Sequence, residues 1–315
     1  MTQADAPRRD AAAEITNLII RKLEEGVPPW RRPWRIAPGG GFPLRHCGTP
    51  YSGVNRLFLW AVADARGYAS PYWMTARQAE QLGGRVRRHE PGSVSVFFSR
   101  MTRDERNPST GETVSRLIRF LRSHIVYSAD QIEGLPDQYR AEREIPTPLA
   151  PSARQEAIDR FFAAIPSTVR HGGNQAFYHP TADYIMMPHR HMFRSADVHA
   201  STLAHEHVHW TGSKTRLGRD FGKRFGDKAY AFEELIADVG AGLVCADLGL
   251  PNEIHDSHAS YLASWLSVMK ADKTAIITAA AHADRAWQLL RSYSADTETA
   301  HPARAAEADP IRRAA

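Results

Sequence analysis

The stretch "STLAHEHVHWTG", residues 201–212, places three histidines at alternating positions around one glutamate. Alternation of His205, His207 and His209 is what a half-buried strand shows. His205-Glu206-x-x-His209 is instead the HExxH spacing, which serves chemistry only on a helix. The flanks decide for the helix. Ser195 can cap its start, Asp197 sits in the first turn where the dipole favours a carboxylate, and Gly212 can end it. A run of about seventeen residues also far exceeds the usual strand of about 5–6. On a helix, His205 and His209 lie one turn apart on one face, so their rings can converge on a single Zn2+. Glu206 stands beside them, placed as the general base that takes a proton from water activated by the ion. His207 falls on a different face and is not a ligand.

A catalytic zinc needs a third protein ligand and an open fourth position. Glu234 lies 25 residues beyond His209, in the helical stretch "AYAFEELIADVGAGLVCADLG". There Glu234-x-x-x-Asp238 sets two carboxylates a turn apart. One can bind the metal while the other accepts the distal N–H of a ligand histidine and fixes its tautomer. Glu234 is preferred as ligand and Asp238 as orienter, with Glu233 the alternative ligand if the register is off by one. The remaining histidines between residues 171 and 199 (His171, His179, His189, His191 and His199) lack a paired spacing and read as surface or packing residues.

"QAFYHPTADYIMMP" reads as a β-hairpin turning at residues 180–183. Its second strand, Tyr184, Ile185, Met186 and Met187, is a candidate edge along which an extended substrate could pair, or equally a core hairpin. Tyr230 is a candidate oxyanion donor. Helices are expected near 153–164, 195–211, 229–249, 255–270 and 273–291. Toward the N-terminus, helices are expected over "DAAAEITNLIIRKLEEGV", over "YSGVNRLFLWAVADARG" with Ser52 as cap, and over "MTARQAEQLGG" with Thr75 as cap. "GSVSVFFSR" and "VSRLIRFLRSHIVY" alternate as two pairing strands. The fold class is α+β in two domains: a small α+β domain at 10–135, then a linker at 136–152 rich in proline and charge. A mainly helical domain with a small sheet follows at 153–291. Residues 1–9 and 292–315 read as a disordered lead and tail.

The net charge of +5 is uneven. Residues 1–135 hold 20 Arg/Lys against 13 Asp/Glu, the remainder 20 against 22, and Lys22 is the single lysine of the first part. Arginine makes planar, bidentate phosphate contacts and stacks on bases, so the bias suits a nucleic-acid surface. Four of the seven tryptophans also lie in the first 75 residues. Non-specific binding of single strands needs a cationic groove with aromatic platforms, and Trp30-Arg31-Arg32-Pro33-Trp34-Arg35 interleaves both. Trp30, Arg31, Arg32, Trp34 and Arg35 are therefore candidate DNA contacts, with Arg56, Arg77, Arg85, Arg87 and Arg88 as further phosphate partners. Trp60, in an apolar helix, reads as core. No stretch approaches the ~18 apolar residues of a membrane helix, and no apolar leader follows the N-terminus. Cys47 and Cys245 are too few and too far apart for a disulfide framework or a metal spacing, which suits a reducing cytoplasm.

"LAHEHVHWTG" with "SKTRL", then "FEELIADVGAGLVCADLG", resembles the zincin-like metallopeptidase domain of ArdC-type antirestriction proteins. "PWRRPW", "PYSGVNRLFLW", "WMTARQAEQLGGRV" and "YSADQIEGLP" are similar to that family's single-stranded-DNA-binding domain, and "YHPTADYIMMP" fits its pattern too. The resemblance runs from about residue 12 to 291, in the family's order. It implies a zinc-dependent, gluzincin-like peptidase fold, single-stranded DNA as partner, a protein or peptide substrate, and carriage on mobile genetic elements that counter host restriction. Carried over, the metal ligands are His205, His209 and Glu234, with one zinc and Glu206 as base. The competing reading is a non-catalytic single-strand-binding protein with a structural or degenerate zinc site. A structural site, however, has no need of a base beside the metal. A metal-dependent nuclease ranks lower, since such enzymes favour carboxylate-rich sites.

Overall fold

The computed structural model describes residues 10–30, 42–106, 113–140, 151–221, 228–251 and 258–299. The first helix, α1 (Ala11–Glu24), is capped by Asp10, whose Oδ1 accepts from Ala13 N at 3.1 Å. Ile15, Ile19 and Leu23 recur at helical spacing and are fully buried, which is why this amphipathic stretch docks where it does. Strand β1 (Leu44–Arg45) leads to α2 (Val54–Arg66). The expected cap Ser52 is corrected to Gly53, whose φ of +57° suits glycine and which makes no side-chain cap bond. After β2 (Tyr72–Met74), α3 (Ala76–Gln81) starts with a capping box between Thr75 and Gln78. Next come β3 (Arg85–Val86), the long strands β4 (Ser93–Arg106) and β5 (Thr113–Ser128), and β6 (Ile132–Glu133). One sheet runs β1-β2-β5-β4, parallel only between β1 and β2, while β3 and β6 form a separate antiparallel pair.

Residues 137–140, expected as linker, form the short helix α4 (Asp137–Arg140). Its Tyr139 is buried and donates its hydroxyl to His46 O at 2.8 Å, so the first half extends through it. The second half begins with α5 (Pro151–Ala163) and a three-stranded sheet of β7 (Thr168–His171), β8 (Phe177–His179) and β9 (Tyr184–Met187). Four helices complete it: α6 (Ala196–Thr211), α7 (Lys228–Asp247), α8 (His258–Ala271) and α9 (Ala275–Thr299). The architecture is α+β. The tail expected to be disordered from residue 292 is helical to Thr299, and Tyr293 at its start packs its ring against Trp210. Both cysteines are free thiols, and no helix among the described residues is long and apolar enough to cross a membrane.

The two halves share one apolar core, in which α1 and α2 pack against α8 and α9. Trp60 is buried there and stacks on Phe42, as expected of a core residue. A buried ion pair also crosses the junction, with Arg56 Nη1 donating to Asp284 Oδ1 at 2.7 Å. The guanidinium lies 4.2 Å from the Phe42 ring centroid and 4.7 Å from that of Trp287, and its Nε donates to Tyr51 O. Within the second half, α6 and α7 approach closely at Gly240. A Cβ there would stand 2.8 Å from a Val208 methyl, so a glycine is required for the two helices to meet at this depth.

Candidate metal centre

The centre is built on α6 and α7. Ser195 caps α6, its Oγ accepting from Val198 N at 3.1 Å, so the HExxH segment is helical and the strand-like alternation is incidental. His205 and His209 bring their Nε2 atoms to 3.1 Å of each other. Across from them, Glu234 on α7 sets its Oε2 3.5 Å from the His205 nitrogen and its Oε1 3.5 Å from the His209 nitrogen. His205, His209 and Glu234 are the one group among the described residues with the donor spacing of a metal site. Bonds of about 2.0–2.2 Å to a tetrahedral ion require donor–donor edges of about 3.3–3.6 Å. The three donors here lie within 4.8 Å of one another, so small side-chain adjustments would bring them onto one ion. Glu206 is buried beside it, and so is Glu233.

Electrostatics also favour a cation here. Burial pushes the Glu206 carboxyl up from the usual range, against the pull of the two imidazoles. Burial works to raise Glu234 too, but His209 and His205 overturn it and hold the carboxyl down at about 2. In His209 burial works downward and is overcome by Glu234 and Glu233, which raise the imidazole to about 9.

The carboxylate in contact with a ligand-candidate ring is Glu233, not Asp238 as expected. His209 Nδ1 donates to Glu233 Oε1 at 3.1 Å, so it is Nε2 that faces the cluster and would give its lone pair to an ion once the ring is deprotonated. Glu233 is in turn gripped by Arg219, whose Nε and Nη2 donate to its two oxygens at 2.9 and 2.8 Å. Arg219 also donates to Thr211 Oγ1 and Val208 O, tying the carboxylate back to α6. Asp238 instead accepts from the Trp30 indole N–H at 2.6 Å. One residue of register thus separates the two glutamates' jobs: Glu234 faces both imidazole Nε2 atoms, Glu233 the far side of one ring.

Tyr230, one turn before Glu234, hydrogen-bonds toward that carboxylate, and its hydroxyl lies 3.2 Å from that of Tyr261 on α8. Burial raises the Tyr230 phenol first of all, and both neighbours raise it further, so it stays a neutral donor. Sequence reasoning missed Arg219 and Tyr261, both of which reach the cluster from segments with no local signal.

The substrate-edge candidate is corrected as well. Tyr184, Ile185, Met186 and Met187 form the central strand, parallel to β7 and antiparallel to β8, with Ile185 and Met187 fully buried. The edge nearest the cluster is β8, and the Tyr178 backbone hydrogen-bonds the Glu206 carboxyl.

His207 lies away from the cluster, and two bonds fix it as neutral. Its Nδ1–H donates to Leu203 O at 2.8 Å, and its Nε2 accepts from Ser167 Oγ at 2.9 Å. Desolvation lowers its pKa from 6.5 to about 4. The unfolded chain therefore takes up a proton below about pH 6.5 that the folded chain refuses until about pH 4. Its stabilising contribution is complete above pH 6.5 and is lost as pH falls through that window, by up to about 3 kcal/mol. Urea unfolding at pH 7.5 and pH 4.5 should show a smaller acid loss in His207→Gln than in wild type, and equal losses would remove His207 from this role.

The candidate DNA contacts divide. Arg31, Arg32, Trp34 and Arg35 lie outside the described residues. Trp30 is corrected: it is 1% exposed, bonded to Asp238 and packed edge-on to Trp265, so it is core and presents no face for a base. Arg56 is corrected too, since its guanidinium is 2% exposed and occupied by Asp284. Arg77, Arg85, Arg87 and Arg88 are exposed on α3, β3 and the turn after it, with Arg87 paired to Glu90 at 2.9 Å.

Comparison with known proteins matches both halves. A family model described as the N-terminal domain of anti-restriction factor ArdC matches residues 9–127, and one described as a zincin-like metallopeptidase matches residues 156–282. The crystal structure of antirestriction ArdC protein from the R388 plasmid, metal-free, is 43% identical with a TM-score of 0.75. That match covers 91% of this chain and 99% of that one. Its Mn(II)-bound structure matches at 42% identity with the same TM-score and coverage. The chain is 36% identical to the uncharacterized protein y4eC of Sinorhizobium fredii, over 92% of this chain and 94% of that protein. It is 33% identical to the DNA primase TraC of Escherichia coli, over 86% of this chain but only 26% of TraC. With both halves matched in order and nearly the full length covered, this chain belongs to the ArdC antirestriction family, an ArdC N-terminal domain followed by a zincin-like metallopeptidase domain.

Proposed function

We propose that the chain binds single-stranded DNA through its N-terminal half and hydrolyses peptide bonds at a zinc site held by His205, His209 and Glu234. The observation that carries this reading is the convergence of three metal-donor atoms beside a buried glutamate that is not one of them. When bound, the ion would supply Lewis-acid polarisation of the scissile carbonyl and make water more acidic. Glu206 takes the proton from the attacking water and passes it to the leaving amine. The Tyr230 hydroxyl, held neutral beside Glu234, turns its one proton from that carboxylate to the developing oxyanion. An extended peptide adds as a strand to the outer edge of β8, which brings its backbone past Glu206. Crystallisation of the R388 relative with Mn(II) supports a metal-binding role, and the arginine-rich N-terminal half supports a nucleic-acid partner. Such a protein works in the cytoplasm, where restriction enzymes meet incoming DNA.

Metal content by inductively coupled plasma mass spectrometry tests the site. One zinc per wild-type chain is expected, lost in His205→Ala and in Glu234→Ala. Glu233→Gln should keep the site but bind about 10- to 100-fold more weakly, as loss of an orienting carboxylate does. A wild-type chain that takes up neither zinc nor manganese after reconstitution would refute the metal reading.

A further inference from the structure

A cavity of about 520 Å3 is lined mostly by the N-terminal half, including residues of α2, α3 and the paired ends of β4 and β5, together with Ile277 and Ala281 of α9. Its size is that of a small-molecule site. Three features define what it can hold. The first is an aromatic platform. Phe97 is 41% exposed, and its ring stacks on His124 with centroids 5.1 Å apart and planes 5° from parallel. The ladder places Ser95 opposite His124 with Phe97 two residues on, so these three cavity-lining residues share one face of the sheet.

The second feature is a polar wall already in place. Asn55 is locked to Val96, its Nδ2 donating to the carbonyl at 2.6 Å and its Oδ1 accepting from the amide at 2.7 Å. The Gln78 Oε1 accepts from Thr75 N and Thr75 Oγ1, which leaves its amide N–H groups as donors for a ligand. The third is charge. None of the lining residues is acidic, while Arg45 stands exposed among them and His46 joins it.

A flat ring with acceptor atoms on its edge and an anionic chain attached satisfies all three. We propose that this cavity receives a base of single-stranded nucleic acid, stacked on the Phe97–His124 pair. Gln78 donates to the base edge, and Arg45 meets an adjoining phosphate. The inference rests on the reading that the N-terminal half binds single strands, and it replaces the Trp30 region, as far as it is described, with a different contact surface.

The test is fluorescence anisotropy of a labelled oligothymidylate at matched salt, using the full chain. Phe97→Ala should weaken binding about 5- to 150-fold, the cost of losing a stacked base. Phe97→Trp, which keeps a ring, should bind within a few-fold of wild type. On an abasic oligonucleotide of the same length, wild type and Phe97→Ala should bind equally. Arg45→Ala should lower the salt slope by about one. Wild-type affinity in Phe97→Ala would overturn the cavity assignment and leave the single-strand reading standing. Failure of the wild type to bind oligothymidylate at all would overturn both. Because Phe97 is partly exposed, both variants should melt with the wild type, and anisotropy is compared only between variants that do.

Discussion

Glu206→Gln is expected to retain its zinc and to lose peptide hydrolysis by about 10²- to 10⁴-fold, the usual contribution of a general base. The substitution is nearly isosteric, so α6 keeps its packing against α7. The three donor groups are untouched, since Glu206 is not among them. What changes is proton affinity: an amide cannot accept the proton released when water attacks. The readout is release of free amines from unfolded casein, with and without single-stranded DNA, beside metal content on the same samples. Zinc retained with hydrolysis abolished fits a base. Zinc retained with hydrolysis unchanged would sink the mechanism. In His205→Ala both quantities should fall together, so the two variants separate proton transfer from metal retention.

The second large effect concerns stability. Arg56→Ala should destabilise the chain by about 3–5 kcal/mol, because it leaves the Asp284 carboxylate buried without its counter-charge. The pair is almost wholly enclosed, at 3% and 8% side-chain exposure. It is further hemmed in by Phe42 and Trp287, so water cannot readily replace the guanidinium. Asp284→Ala should cost a similar amount. The double variant Arg56→Met with Asp284→Leu should recover most of the loss, since two apolar side chains leave no charge to desolvate. Urea unfolding at neutral pH measures all three. Folded Arg56→Ala should bind single-stranded DNA with unchanged affinity, as its guanidinium never reaches the surface. A selective loss of DNA affinity at unchanged stability would return Arg56 to the contact surface.

Much of the centre was legible because its information is local. His205, Glu206 and His209 follow from a four-residue spacing, a serine cap and a helical length that outvotes the alternation. Helical spacing narrowed the third donor to Glu234 or Glu233 but could not choose between them, because the choice depends on which carboxylate Arg219 and the far side of the His209 ring hold. What was not legible depends on approach between distant segments. Arg219 reaches Glu233 from the loop after α6, and no periodicity marks a loop arginine that turns inward. The β8–β9 hairpin could be read from its turn, but β9 becomes central only because β7 pairs with it in parallel, and a four-residue strand offers no cue to that partner. Trp30 and Arg56 were misread for a related reason. Their residue types suit a nucleic-acid surface, whereas their burial is set by Asp238 and Asp284, more than two hundred residues away.

The Arg56–Asp284 pair and the Trp30–Asp238 bond bear on how such a gene can change by recombination. Each joins a residue of the N-terminal half to a residue of the C-terminal half, inside a core that both halves build. A crossover that pairs the front of one family member with the back of another succeeds only if both parents agree at positions 30, 56, 238 and 284. Where they differ, the chimera inherits an orphaned buried charge at the seam and folds poorly, whatever the quality of its metal site. The halves are therefore expected to travel between genomes as a single heritable block.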